Sequence, residues 1–271
     1  MPLITITDNF GTNGNEIAQV VATKLDVELF DDRRLQNIVT KTGMPASAKY
    51  RFEKHAPGFW DLLRSREPQV YLDTMEAAVY DIARNGEGVI IGHGSQMLLR
   101  DFECAFHVRL LPNFELRVDN LISGREMSRD EAINLIAKYD RGQKAFFRYA
   151  FQIDLDTPEL YDLIINLGKM KERTVAGLIV EAVQSDDIQS CSLDALSSMK
   201  KLSFERKIHA ELLENNIDVR TLNIAVLETG SVEIAGAVAS KEEKNRATEI
   251  VKNVNGISYV NNKLSVLPYH L

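Results

Sequence analysis

The stretch Asp8-Asn9-Phe10-Gly11-Thr12-Asn13-Gly14-Asn15-Glu16 follows a short β-rich run and leads into residues with helical spacing. A Gly/Asn-rich turn feeding a helix is suited to anions, because the first helical N–H groups lack internal partners and the helix dipole favours negative charge. In the G-x-x-x-x-G-K-[ST] form of such a loop the lysine neutralises outer phosphates and the hydroxyl holds magnesium. Here Asp8 stands in the first glycine slot, Asn13 in the second, Gly14 in the lysine slot and Asn15 in the Ser/Thr slot. The strict pattern fails. Gly11, Thr12, Asn13, Gly14, Asn15 and Glu16 still form a turn and helix start able to bind phosphate weakly, although a plain strand-to-helix turn would look similar.

Phosphate chemistry needs cations. Arg141, Lys144 and Arg148, at i, i+3 and i+7 after Asp140, share one helix face that could close over phosphates as a lid or be a solvated stripe. Arg109 lies in the C-terminal half of a strand pattern, the side on which open α/β sheets bind ligands, and Arg117 lies a turn into the next helix. The segment 49–66 mixes Arg51 and other basic residues with Tyr50, Phe52, Phe59 and Trp60. It could grip a nucleoside monophosphate or simply be an amphipathic helix. Asp31 is either a substrate or magnesium anchor or a helix cap. His93, between two glycines, reads as a weakened phosphate ligand, a pH-sensitive one, or a turn residue. Asp8 adds a negative charge that opposes tight ATP binding unless magnesium intervenes.

The elements that position these residues alternate short strands with long helices, the sign of a parallel α/β sheet covered on both faces. Strands are expected at Leu3–Thr7, Val89–Ile91, Phe106–Leu111 and Leu163–Asn166, and helices after the loop and at Tyr71–Arg84, Leu116–Ile122, Arg129–Phe151 and Val175–Val183. Residues 1–184 thus read as one doubly wound α/β domain, which the resemblance given below makes a nucleotide-binding one. Residues 185–203, rich in Ser, Asp and Gln, read as a linker. Residues 204–271 read as a compact α-β-β-α-β domain with Thr229-Gly230 as its hairpin turn.

Composition agrees with two folded domains: 271 residues, 45% apolar and 26% charged. A net charge of -7 argues against a nucleic-acid partner but leaves small phosphorylated molecules open. Cys104 and Cys191 show no C-x-x-C spacing and lie far apart, so no disulfide framework is expected. The histidines show no metal-binding spacing, and no metal site is expected from protein ligands. Without a leader pattern, membrane anchor or long apolar run, a cytoplasmic location is expected.

Several runs carry a resemblance. Ile4–Ala18, Leu29-Phe30-Asp31, Val89-Ile90-Ile91-Gly92-His93-Gly94, His107–Leu110 with Glu115–Val118, Asp140-Arg141 with Phe147-Arg148-Tyr149, and Tyr161–Asn166 occur in an order that resembles the cytidylate kinase-like family. The resemblance implies a P-loop kinase-like parallel sheet and phosphoryl transfer from ATP to a nucleoside monophosphate such as CMP or dCMP, with Mg2+. It makes Asp140, Arg141 and Arg148 the catalytic lid, residues 11–16 the ATP site, and Asp31, Arg51, His93 and Arg109 the acceptor site. Family members typically lack the loop lysine. The departures are Asn15 and His93, both in places where the family has arginine. A catalytically silent nucleotide sensor is the alternative.

Val232–Val238, Ser240–Glu243 and Val254–Leu264 resemble a BON domain, which implies a regulatory or self-associating, homo-oligomer-forming module.

Overall fold

A computed structural model describes residues 3–41, 68–125, 127–188, 190–228 and 230–267 of the chain. Arg51, with the rest of the aromatic and basic segment around it, lies outside the described residues. The chain divides into two compact units, Met1–Arg34 with Asn85–Ala195 and Leu35–Arg84 with Leu196–Leu271.

The first unit is built on β1 (Leu3–Thr7), β2 (Leu29–Phe30), β3 (Gly88–Ile91), β4 (Ala105–Leu111) and β5 (Leu163–Asn166), in the order β2-β3-β1-β4-β5. Every pairing is parallel. All five residues of β1 are buried, as expected of a central strand covered on both faces. On one face α1 (Gly14–Leu25) packs Ile17, Ala18, Val21 and Ala22 with Ile4, Ile6 and Val108 of the sheet and Ile179 of α7 (Glu172–Val183). Because β1 is flanked by β3 and β4, the chain leaves its carboxyl end at the switch point of the sheet, where such folds bind ligands. The expected parallel α/β sheet is therefore the observed one.

Helices α5 (Phe114–Arg125) and α6 (Arg129–Phe151) form a second layer in this unit, packed through Val118, Leu121, Ala132 and Ile136. The start of α6 is fixed by a capping box in which Ser128 and Glu131 satisfy each other's backbone N–H groups.

The cysteine expectation is overturned: Cys104 and Cys191, 87 residues apart, form a disulfide within the first unit. Folding brings together what spacing alone does not. Closing so long a loop contributes on the order of 4 kcal/mol by restricting the unfolded chain. Reduction by dithiothreitol is expected to lower the melting temperature clearly, and a C104A/C191A variant to melt at the reduced protein's temperature whether or not reductant is present. Disulfides are rare in a reducing cytoplasm, and the bridge pulls against the cytoplasmic expectation. Among the described residues no helix is long and apolar enough to cross a membrane.

The second unit joins α3 (Pro68–Ala83) and α8 (Leu193–Glu214, from Leu196 on) to a three-stranded sheet of β6 (Leu222–Glu228), β7 (Ser231–Val238) and β8 (Tyr259–Val266), with α9 (Lys241–Asn253). Pairing is antiparallel for β6–β7 and parallel for β7–β8. The core holds Ile208, Leu212, Ile224, Val232, Ile234, Val251 and Leu264.

Two expectations are corrected. The linker 185–203 is helical from Leu193, where Ser192 Oγ accepts the Ala195 N–H at 3.1 Å. Helix α3, expected within domain 1–184, belongs with the C-terminal residues. Ser203 Oγ donates to the Ala77 carbonyl at 3.0 Å, and Arg206 pairs with Asp73 at 3.3 Å and Glu76 at 2.5 Å.

Burial pushes Asp73 up to about 7, against the opposing charge of Arg206, while burial and the Arg206 charge pull His209 down to about 4. Folded Asp73 keeps a proton that the unfolded chain releases near 3.8, so its stabilisation is full below about pH 4 and is lost as pH rises to about 7. His209 acts oppositely, stabilising fully above its ordinary 6.5 and losing that as pH falls to about 4. In urea unfolding of D73N, stability is expected to fall less between about pH 4 and 7 than in wild type. A D73N profile parallel to wild type would contradict these assignments.

Candidate functional site

The site belongs to the first unit, at the carboxyl ends of β1, β2, β3 and β4. From β1 the chain runs through Asp8–Asn13 into α1. Side chains from α5 and α6 hold the loop by its carbonyls. Gln143 Nε2 donates to Asp8 O at 3.0 Å, Arg117 Nε to Phe10 O at 2.8 Å, and Asn120 Nδ2 to Gly11 O at 3.0 Å. Phe10 stacks on Tyr139 with ring centroids 3.8 Å apart. The two helices thus fix the loop's shape.

Asn13, before α1, makes no side-chain cap and instead donates to Glu172 Oε1 at 3.3 Å. The first N–H groups of α1 therefore receive no cap from the residue placed to provide one. Thr12 Oγ1 is buried with no hydrogen-bond partner. Asn15 and Glu16 are exposed on the first turn of α1.

Gly14, in the lysine slot, lies against the Asp8 carboxylate so closely that any Cβ there would collide with Asp8 Oδ2 and Cγ. Asp8 and Gly14 are thus one paired feature: the acid occupies the space into which a side chain at position 14 would start. Burial raises the Asp8 carboxyl to about 7, with Arg109 opposing the rise and Asp32 adding to it. Near neutrality Asp8 is a partly protonated group, and its repulsion of phosphate is smaller than its residue type implies.

Arg109 is the central cation. It is 2% exposed on β4, with Nη2 donating to Asn9 Oδ1 at 2.9 Å and Asp156 Oδ1 at 3.3 Å. Its Nε and Nη1 are buried without a partner. A buried guanidinium with two unmet donors is costly unless an anion completes it.

Three of the other cations are already engaged. Arg117 is held by Asp140 in a two-pronged pair of 2.9 and 2.6 Å, so Asp140 serves the loop's support rather than standing free. Lys144 pairs with Asp156 at 2.6 Å and Arg148 with Asp154 at 3.6 Å. Arg141 is exposed and makes no ion pair among the described residues. Arg141, Lys144 and Arg148 all lie on α6, and two of the three are bound to acids in the turn after it.

Asp31 resolves as a cap, accepting the Arg34 N–H at 2.8 Å at the start of α2 (Asp32–Lys41). The neighbouring Asp32 makes the polar contact instead, its Oδ1 lying 2.5 Å from His93 Nε2. Although desolvation works the other way, the hydrogen bond and charge of His93 hold the Asp32 carboxyl below its ordinary value. Gly92, His93 and Gly94, just before the short helix α4 (Ser95–Leu98), all have positive φ, 79°, 58° and 69°. A histidine in that conformation is uncommon and marks stored strain of about 1–3 kcal/mol.

Sequence reasoning missed Asn120, Gln143, Asp156 and Asp32. Helical spacing could have found two of them, since Asn120 follows Arg117 and Gln143 follows Asp140 by three residues.

A search of curated proteins finds no match. Among solved structures, an uncharacterized protein from Eubacterium ventriosum is similar with a TM-score of 0.53 at 18% identity, covering 67% of this chain and 97% of that one. Shikimate kinase from Acinetobacter baumannii, solved with shikimate, gives 0.41 at 16% identity, covering 70% and 96%. Shikimate kinase from Bacteroides thetaiotaomicron gives 0.44 at 14%, covering 68% and 99%. A BON domain model matches residues 203–268. The model of the cytidylate kinase-like family matches residues 3–169, a span that holds the loop, Arg109 and both supporting helices, and the chain belongs to that family.

Proposed function

We propose that the protein is a phosphotransferase that takes a phosphoryl group from ATP, with the donor's phosphates on residues 8–16 and Arg109. The carrying observation is Arg109, a buried cation with two unmet N–H groups at the carboxyl end of β4, electrostatically coupled to Asp8 of the loop. Thr12 Oγ1 and the uncapped start of α1 support the same reading. Catalysis of this kind is mostly positioning and charge stabilisation, which a fixed loop and a buried guanidinium supply. Mg2+ would neutralise the phosphates. It keeps several waters and is held largely by the phosphates themselves, so it need not draw on Asp8. Lys144 and Arg148 would exchange their aspartate partners for phosphate oxygens as the site fills.

Family resemblance gives CMP or dCMP as acceptor and assigns the BON unit a regulatory or assembly role. A second reading, a nucleotide sensor without turnover, is favoured by one observation: Asp154 and Asp156 already neutralise two of the three lid cations. Thermal shift with a nucleotide panel, followed by ADP release with CMP and dCMP, separates the readings. A shift with turnover supports the kinase, and a shift without turnover supports the sensor. No shift with any nucleotide contradicts both.

A further inference from the structure

The two halves of the Cys104–Cys191 bridge are held very differently. Cys104 is 5% exposed, in the turn that opens β4, and the fold fixes that turn through the backbone. Phe102 N donates to the Leu99 carbonyl at 3.0 Å and Ala105 N to the Phe102 carbonyl at 2.9 Å, and Ala105 is in register with Leu3 of β1. Cys191 is half-buried, while Ser190, Ser192, Leu193 and Asp194 around it are exposed, Leu193 at 85%. The hydrogen bond from Ala195 N to Ser192 Oγ stays within this segment. Among the described residues, the nearest preceding one that packs on the core of the first unit is Ile188. The bridge therefore joins a rigid inner partner to an outer one that it retains itself.

Residues 190–195 also end the first unit. The chain passes between the units at three places, and the last of them, from Ala195 to Leu196, leads into the rest of α8. Opening the bridge breaks no strand pairing, because β4 is paired from Ala105 onward. We propose that the Cys104–Cys191 bridge is a redox latch on this last crossing: oxidised, it holds residues 190–195 to the first unit, and a thiol reductant releases them while β4 stays in place.

The more accessible residue sets the course of the chemistry. A reductant thiolate attacks the Cys191 sulfur, the sulfur–sulfur bond breaks, and Cys104 leaves as a thiolate that takes up a proton. A second thiolate attacks the reductant's own sulfur in the mixed disulfide, so that Cys191 leaves as a thiolate and is protonated in turn. Two electrons pass to the protein, and the reductant ends as its disulfide. Oxidised glutathione runs the same steps in reverse.

The test uses the full chain in mixtures of reduced and oxidised glutathione, without denaturant, with thiols trapped by alkylation and counted by mass. The bridge is expected to open and reclose as the mixture is changed. Hydrogen exchange at residues 190–195 is expected to be about tenfold or more faster in the reduced chain, with residues 105–111 of β4 changed by less than about twofold. C104S/C191S is expected to show the reduced pattern in every mixture. A bridge that stays closed in reduced glutathione until the chain unfolds would overturn the inference and mark a structural staple. Thiols that stay free in oxidised glutathione, or unchanged exchange at 190–195, would overturn it as well. So would acceleration spread evenly over 190–195 and β4, which is the sign of a general loss of stability.

Discussion

Gly14→Ala is expected to destabilise the first unit by about 1–3 kcal/mol, and the same substitution in an Asp8→Ala background to be neutral or stabilising. The first number is the usual cost of forcing atoms into a filled space, here between the start of α1 and the Asp8 carboxylate. The sign change follows because position 14 opens a helix, where alanine is the better residue by up to about 1 kcal/mol once the collision is gone. Urea unfolding of wild type, both single variants and the double variant forms a cycle whose coupling energy isolates the pair. A coupling near zero would mean that Asp8 and Gly14 do not share the space. The same cycle explains the missing lysine: Gly14→Lys alone is expected to misfit, whereas D8G/G14K is expected to fold and to bind ATP more tightly than wild type.

Arg109→Met is expected to weaken Mg·ATP binding by on the order of 100-fold or more, and Arg109→Lys by less. A charge-assisted, two-donor contact to phosphate in a buried site contributes several kcal/mol, and no other described cation at the site is both buried and short of partners. Lysine keeps the charge but offers no fork, hence the partial retention. Isothermal titration of the three proteins checks this, with circular dichroism confirming that the variants fold. Unchanged affinity in Arg109→Met would remove the observation on which the proposed function rests.

Much of the fold was legible where local chemistry is decisive. The span Arg129–Phe151 follows from the Ser128–Glu131 capping box and an unbroken helical period, and the short apolar runs Leu163–Asn166 and Leu3–Thr7 are strands because neither is long enough for a buried helix. Helix α8 was read too short because its buried residues, Met199, Ser203, Ile208, Ala210 and Leu212, do not fall on one simple stripe. The Cys104–Cys191 pair has no local signal at all.

At the site, residue types pointed to Arg109 and to the loop, and to Asp140 in a different role. What could not be read was which of two adjacent aspartates caps α2 and which meets His93. Nor could the sequence show that Asp8 and Gly14 touch, since slot-by-slot comparison treats them as two separate losses. Both facts are properties of packing.

The most direct test of a phosphate site built around Asp8, Gly14 and Arg109 is the affinity for Mg·ATP from pH 5.5 to 8.5, measured by isothermal titration on wild type and Asp8→Asn. Asp8 loses its proton near pH 7 beside the loop. A new negative charge there should weaken wild-type binding about tenfold or more relative to Asp8→Asn as pH rises. The ratio of the two affinities removes the titration of ATP itself. A ratio that stays constant across the range, or no binding by wild type at any pH, would contradict the site.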